Sequence, residues 1–126
     1  MALETFWGRP GVWVAAVGAA FMLLNAVRAW FAPIAFARYF GTPLVDQRDQ
    51  AFVRVYGLRA LFIALALTAL LVRRDPIALG WIALASVVMP AGDAVLAFRA
   101  GARRSTVVRH LVIGAVLLGA AISLLI

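Results

Sequence analysis

The chain contains no cysteine and no lysine, a single histidine, and five carboxylates in 126 residues. Without cysteine there are no disulfides, no thiol redox chemistry and no thiolate metal ligands. One histidine and so few carboxylates do not make up a multi-ligand metal site, so no metal and no cofactor is implied. All twelve basic residues are arginine, and only Glu4, Asp46, Asp49, Asp75 and Asp93 oppose them, for a net charge of +7. No soluble basic segment is left over to form a binding face for nucleic acid, because the arginines fall at the ends of apolar runs. Their ordinary role there is anchoring to anionic membrane lipid.

What the chain has in abundance is apolar sequence: 66% of residues are hydrophobic and the mean hydropathy is +1.03. Soluble domains are about half apolar, so this composition belongs in a membrane. A crossing helix needs about 20 mainly apolar residues, and the length accommodates four. The reading is an all-α, transmembrane four-helix bundle in a single domain over residues 1–126, with spans at about 11–31, 52–72, 77–98 and 107–126. A short juxtamembrane helix is expected between spans one and two. The N-terminal run is too long for a signal-peptide core and carries an acidic residue, so it reads as a retained helix.

Pro10 opens the first span, and Trp13 and Trp30 mark its two interfaces. Pro33 and Gly41 bracket the short piece, whose Ile34, Phe36, Tyr39 and Phe40 suit the headgroup layer or packing against the bundle. In the third span Pro90 cannot donate to the Ser86 carbonyl, which predicts a break one turn before Asp93. Ser105 and Thr106 are candidate caps for the fourth span. That span carries Ala115, Gly119 and Ser123 at four-residue spacing, a stripe that lets helices approach closely inside the bundle or in a homo-oligomer.

Three arginines, Arg9, Arg73 and Arg74, lie at one end of a four-span bundle; eight lie at the other, with Arg59 inside the second span. The positive-inside rule puts the Arg-rich end in the cytoplasm and both termini outside, most simply in a bacterial inner membrane. So strong a bias argues against dual-topology dimers.

Arg59 is the costly residue, since a charge within a span marks a site or a paired structural charge. Alternating helix directions bring Asn25, Arg28, Tyr56, Arg59, Asp93 and His110 into one layer near the Arg-rich end. Asp93 is the only carboxylate at that depth, so Arg59 and Asp93 are expected to pair, directly or through a ligand or water. One outcome is an ion pair that sets helix register. The other is a cytoplasm-facing pocket for a hydrophobic or amphiphilic small molecule. There Asp93 and His110 act as proton carriers, Arg59 as anchor, and Asn25, Arg28, Tyr56 and Ser86 as ligand-binding residues. Such a pocket suits an acid/base isomerase or cyclase; the alternative is a noncatalytic oligomeric subunit, channel or transporter. The outer halves of the spans are almost without polar groups, which speaks against a pore through one chain.

The runs Phe-Ala-Arg-Tyr-Phe-Gly-Thr-Pro at 36–43, Val-Tyr-Gly-Leu-Arg at 55–59 and Gly-Asp-Ala at 92–94, with His110 opening the last span, resemble a family of small four-helix membrane proteins known as a domain of unknown function. The chain is also broadly similar to DoxX-type proteins. The resemblance implies a four-helix architecture and importance for Gly57, Arg59, Asp93 and His110, but no reaction.

Overall fold

A computed structural model describes residues 2–126, with side chains described from Thr5 onward. Every regular element among them is helical: α1 (Ala2–Trp7), α2 (Pro10–Phe31), α3 (Pro33–Phe40), α4 (Gln50–Arg73), α5 (Pro76–Ser86), α6 (Val88–Arg99) and α7 (Arg104–Leu125). A turn of 3-10 helix, Gln47–Asp49, leads into α4. Four units are long and apolar enough to cross a membrane, namely α2, α4 with its leading turn, α5 joined to α6, and α7. The protein is an all-α membrane protein.

The helix ends follow local chemistry. Pro10, Pro33 and Pro76 stand in first turns, where a missing N–H costs nothing. Asp75 caps α5 by accepting from Ala78 N at 3.0 Å. Gly41 ends α3 at φ 100°, in the left-handed region, and its N–H reaches back to the Ala37 and Arg38 carbonyls. The same left-handed ending closes α4 with an arginine, Arg74, at φ 57°. Helix α7 starts at Arg104, with Arg103 as its cap residue and no side-chain cap bond, so Ser105 and Thr106 do not cap it. The third apolar unit breaks at Val87, whose N–H bonds to Leu84 O at 3.2 Å, a tighter closure than the α-helical pattern. The break falls where Pro90 leaves the Ser86 carbonyl without its usual donor.

The four units form two pairs. Helix α2 packs along α4, and α5–α6 packs along α7; α2 and α7 join the pairs. Small residues make these contacts, as eleven of the sixteen buried hydrophobic residues are alanine. Lipid offers no hydrophobic drive for helix association, so close backbone approach must supply dispersion contacts instead. At Gly57, for instance, an added Cβ would stand 3.1 Å from the Ala26 carbonyl and 3.2 Å from the Ala29 Cβ. Many of the large side chains point outward, Phe62, Val88 and Phe98 among them.

Contact is tightest at the end holding the N-terminus of α2. Val12, Leu79, Leu124 and Phe6 are buried together there. A Cβ on Gly11 would meet Leu124 Cγ and Ser123 Oγ, each at 2.5 Å, and the Ala120 carbonyl at 2.7 Å. Gly11 N donates to Ser123 Oγ at 3.0 Å, and Arg9 donates to the free carbonyl of Leu124 at 3.3 Å. Ser123 is thus engaged within the chain, whereas a Cβ on Gly119 would meet nothing within 4 Å.

Candidate functional site

Toward the Arg-rich end the two pairs separate. Helix α4 touches α5 but does not pack along α6, and the gap is a cleft of about 350 Å³. Its deep wall comes from α2 and α7, through Asn25, Ile113 and the buried His110. Its two rims carry Arg59 on α4 and Met89 on α6, both exposed. The half of the cleft nearer the tight end is apolar, lined by Gly18, Ile63, Leu67 and Leu117.

Six of the seven expected binding or catalytic residues line this space: Asn25, Tyr56, Arg59, Ser86, Asp93 and His110. Ser86 lies seven residues before Asp93, roughly 10 Å deeper along the helix. Arg28 is not among the lining residues. It is exposed, with its guanidinium carbon 5.8 Å from the centre of the Tyr39 ring.

The direct Arg59–Asp93 ion pair does not form. Among the described residues Arg48 and Asp46 make the one salt bridge, at 2.9 Å on the surface. The side chains of Arg59 and Asp93 face the same cleft from opposite walls, and neither makes a hydrogen bond among the described residues. The reason is spacing: helix α4 is held close against α2 at Gly57, and α6 lies along α7 with Pro90 beside Gly114, so each wall keeps to its own pair and the two stand apart. Asp93 instead lies within electrostatic reach of His110 and of the Tyr56 hydroxyl.

His110 is 5% exposed, and its Nε2 stands 3.0 Å from the Phe40 carbonyl oxygen. A carbonyl only accepts, so Nε2 carries the proton and donates; in the neutral ring Nδ1 is then the basic nitrogen. Asn25 is 4% exposed and its amide neighbours the Tyr56 hydroxyl, yet its Oδ1 is buried without a hydrogen-bond partner. An orphaned acceptor of this kind costs about 1–3 kcal/mol.

Helix α3 lies across the Arg-rich end of the cleft. Phe36 stacks on Tyr56 with ring centres 5.4 Å apart, and Phe40 meets Tyr56 edge-on at 5.4 Å and His110 at 5.0 Å. Gly41 then seats against Ala97 and Thr106. Phe36 and Phe40 are therefore turned into the bundle rather than laid in a headgroup layer. Arg109, one of the eight arginines at the Arg-rich end, also lines the cleft; it donates to Tyr39 O at 2.6 Å and lies 4.1 Å over the Tyr39 ring. Its pattern in sequence is that of any interfacial arginine, and only the return of α3 gives it this place.

A family model described as "Domain of unknown function (DUF4267)" matches residues 11–124, a span that includes every residue of the cleft and all four apolar units but for Pro10 and Leu125 at their outer ends. The chain belongs to this family. No curated protein and no solved structure matches it. For this DUF4267 protein, then, the chemistry of the cleft is the guide to function. It offers a cation, a carboxylate, a basic ring nitrogen, a phenol and an unused amide oxygen, all in an apolar wall. No group of three or more His, Asp or Glu side chains able to hold a metal occurs among the described residues.

Proposed function

We propose that this DUF4267 protein binds a hydrophobic or amphiphilic small molecule in the cleft between α4 and α6 and catalyses proton transfer on it, as an isomerase or cyclase does. One observation carries the reading: Asn25 Oδ1 is fully buried in the cleft wall with no partner, beside Arg59 and Asp93, which have none either. Buried polar groups are nearly always satisfied, and one that is not, in the wall of a cavity that the half-buried Asp93 and the exposed Arg59 also face, supports a site that takes polar atoms from elsewhere.

The roles follow from the chemistry. Arg59 anchors and polarises a ligand carbonyl, which acidifies the neighbouring C–H. Asp93, or His110 through Nδ1, takes that proton and returns it at a second carbon, so that a double bond moves with no net change in composition. Asp93 and His110 are close enough electrostatically for one to stabilise the charge that develops on the other. In this reading the Arg-rich end faces the cytoplasm and membrane lipid surrounds the outward Phe, Leu and Val side chains.

A noncatalytic oligomeric subunit is the second reading. It is favoured by Ala115 and Gly119, which are exposed on α7 with open space beside Gly119. The two are separated by purifying the wild type, Asp93→Asn, Arg59→Leu and the double variant, then measuring stability in detergent and the lipophiles retained, by mass spectrometry. The site reading expects every variant to fold and to lose the retained compound. A double variant that keeps the compound at wild-type level would sink it.

A further inference from the structure

Three features of the cleft go further than the presence of a ligand. First, its volume, about 350 Å³, lies at the small end of ligand pockets, which run from about 300 to 1,000 Å³. A two-chained phospholipid would overfill it several times. Second, the two charged side chains that face the space without a hydrogen-bond partner, Arg59 and Asp93, oppose one another across it, while Arg109 is engaged by the Tyr39 carbonyl and ring and His110 has its Nε2 proton committed to Phe40. A charged head would leave one unit of charge uncompensated in an apolar surround, which is expensive. Third, α3 lies across the Arg-rich end, and the apolar helices pack together at the other. The exposed side is the slot between the rims at Arg59 and Met89, within two of the units long and apolar enough to cross a membrane.

We infer that the cleft takes an uncharged, single-tailed amphiphile directly from the bilayer, sideways between α4 and α6, and that its head carries an O–H or N–H donor beside a carbonyl. The donor satisfies Asn25 Oδ1, the carbonyl accepts from Arg59, and the tail lies along Ile63, Leu67 and Leu117. From Arg59 to Leu67 is eight residues, so this apolar track is roughly 12 Å long. The inference rests on the proposed ligand-binding function and adds the class of ligand and its route.

The test uses the full chain in lipid nanodiscs and radiolabelled ten-carbon probes, with counts above empty nanodiscs as the signal. Decanamide has the required head; methyl decanoate only accepts, decanoate is anionic, decylamine cationic, and decane has no head. The expected result is saturable decanamide binding about tenfold tighter than any other probe, with the advantage over methyl decanoate abolished in Asn25→Leu. The route is tested in an Ala66→Cys, Met89→Cys variant, a clean design because the chain has no cysteine of its own. Ala66 is seven residues on from Arg59 and shares its face. Joining the two with a bifunctional maleimide is expected to slow probe uptake about tenfold and to trap probe loaded beforehand, relative to the same variant left unjoined.

Equal binding of all five probes would overturn the head assignment, and first rank for decanoate would overturn the uncharged head. Unchanged uptake after joining would overturn the sideways route. In each of those cases the binding function itself stands. Absence of saturable binding for every probe would remove both.

Discussion

The two ends of this bundle are built on opposite terms. At the end with Gly11 and Gly80 the helices touch backbone to backbone, and a single added methyl would collide with Leu124, Leu125 or a main-chain carbonyl. At the other end α4 and α6 stand apart, polar side chains line the space, and Gly92 would accept a methyl without meeting an atom within 4 Å. The lesson is that the first end makes the second one possible. Two helix pairs clamped together at one end can hold unpaired polar groups apart at the other without collapsing over them.

The comparison breaks most sharply at Gly11. Gly11→Ala is expected to cost about 3 kcal/mol, because its Cβ would press on the Ala120 carbonyl and no side-chain rotation relieves that contact. Thermal unfolding in detergent measures it, and a loss under about 0.5 kcal/mol would show that the clamp yields.

At the open end the sign reverses. Asn25→Leu removes a buried acceptor that nothing satisfies, so stability should rise by about 1–2 kcal/mol while retained ligand is lost. A destabilised Asn25→Leu would mean that the amide is structural. Arg59→Leu belongs to the same class, with a smaller gain expected because the side chain is exposed.

Smaller still is Asp75→Ala in the connection beside the clamp. It deletes the cap on Ala78 N and should cost about 1 kcal/mol, read from the same unfolding curves. Least of all is Asp46→Ala. The hydrogen bonds from the Arg48 side chain, then from its backbone N–H, hold the Asp46 carboxyl below its ordinary value of 3.8. A carboxylate depressed in this way adds stability above that value and loses it as pH falls through the folded one. Since Asp46 lies open to water, the acid limb of the pH–stability profile should be indistinguishable between Asp46→Ala and wild type.

The all-α class and the four-span architecture were legible because a span writes itself as a run of apolar residues, and the break before Pro90 because proline lacks a donor. The layer holding Asn25, Tyr56, Arg59, Asp93 and His110 could be read from helix direction and rise alone. Spacing between helices could not. It is set by close contacts such as Gly57 on α2 and Pro90 on Gly114, residues that carry no chemical signal. For that reason the direct Arg59–Asp93 contact, which spacing along each helix suggested, does not form. The fold-back of α3 was equally hidden: Phe36 and Phe40 suit a headgroup layer as well as a packed interior, and only their seating on Tyr56 and His110 decides.

The alanine-built interior turns the usual rule of sequence drift inside out. In a soluble domain the large apolar residues lie inside and change slowly. Here the positions that admit only a hydrogen or a methyl are the inner ones, Gly11, Gly57, Ala60 and Ala97 among them, while Phe62, Val88 and Phe98 face a fluid with no shape to match. Over evolutionary time the outward positions are free to trade leucine, isoleucine, valine and phenylalanine, and the smallest residues become the ones that stay.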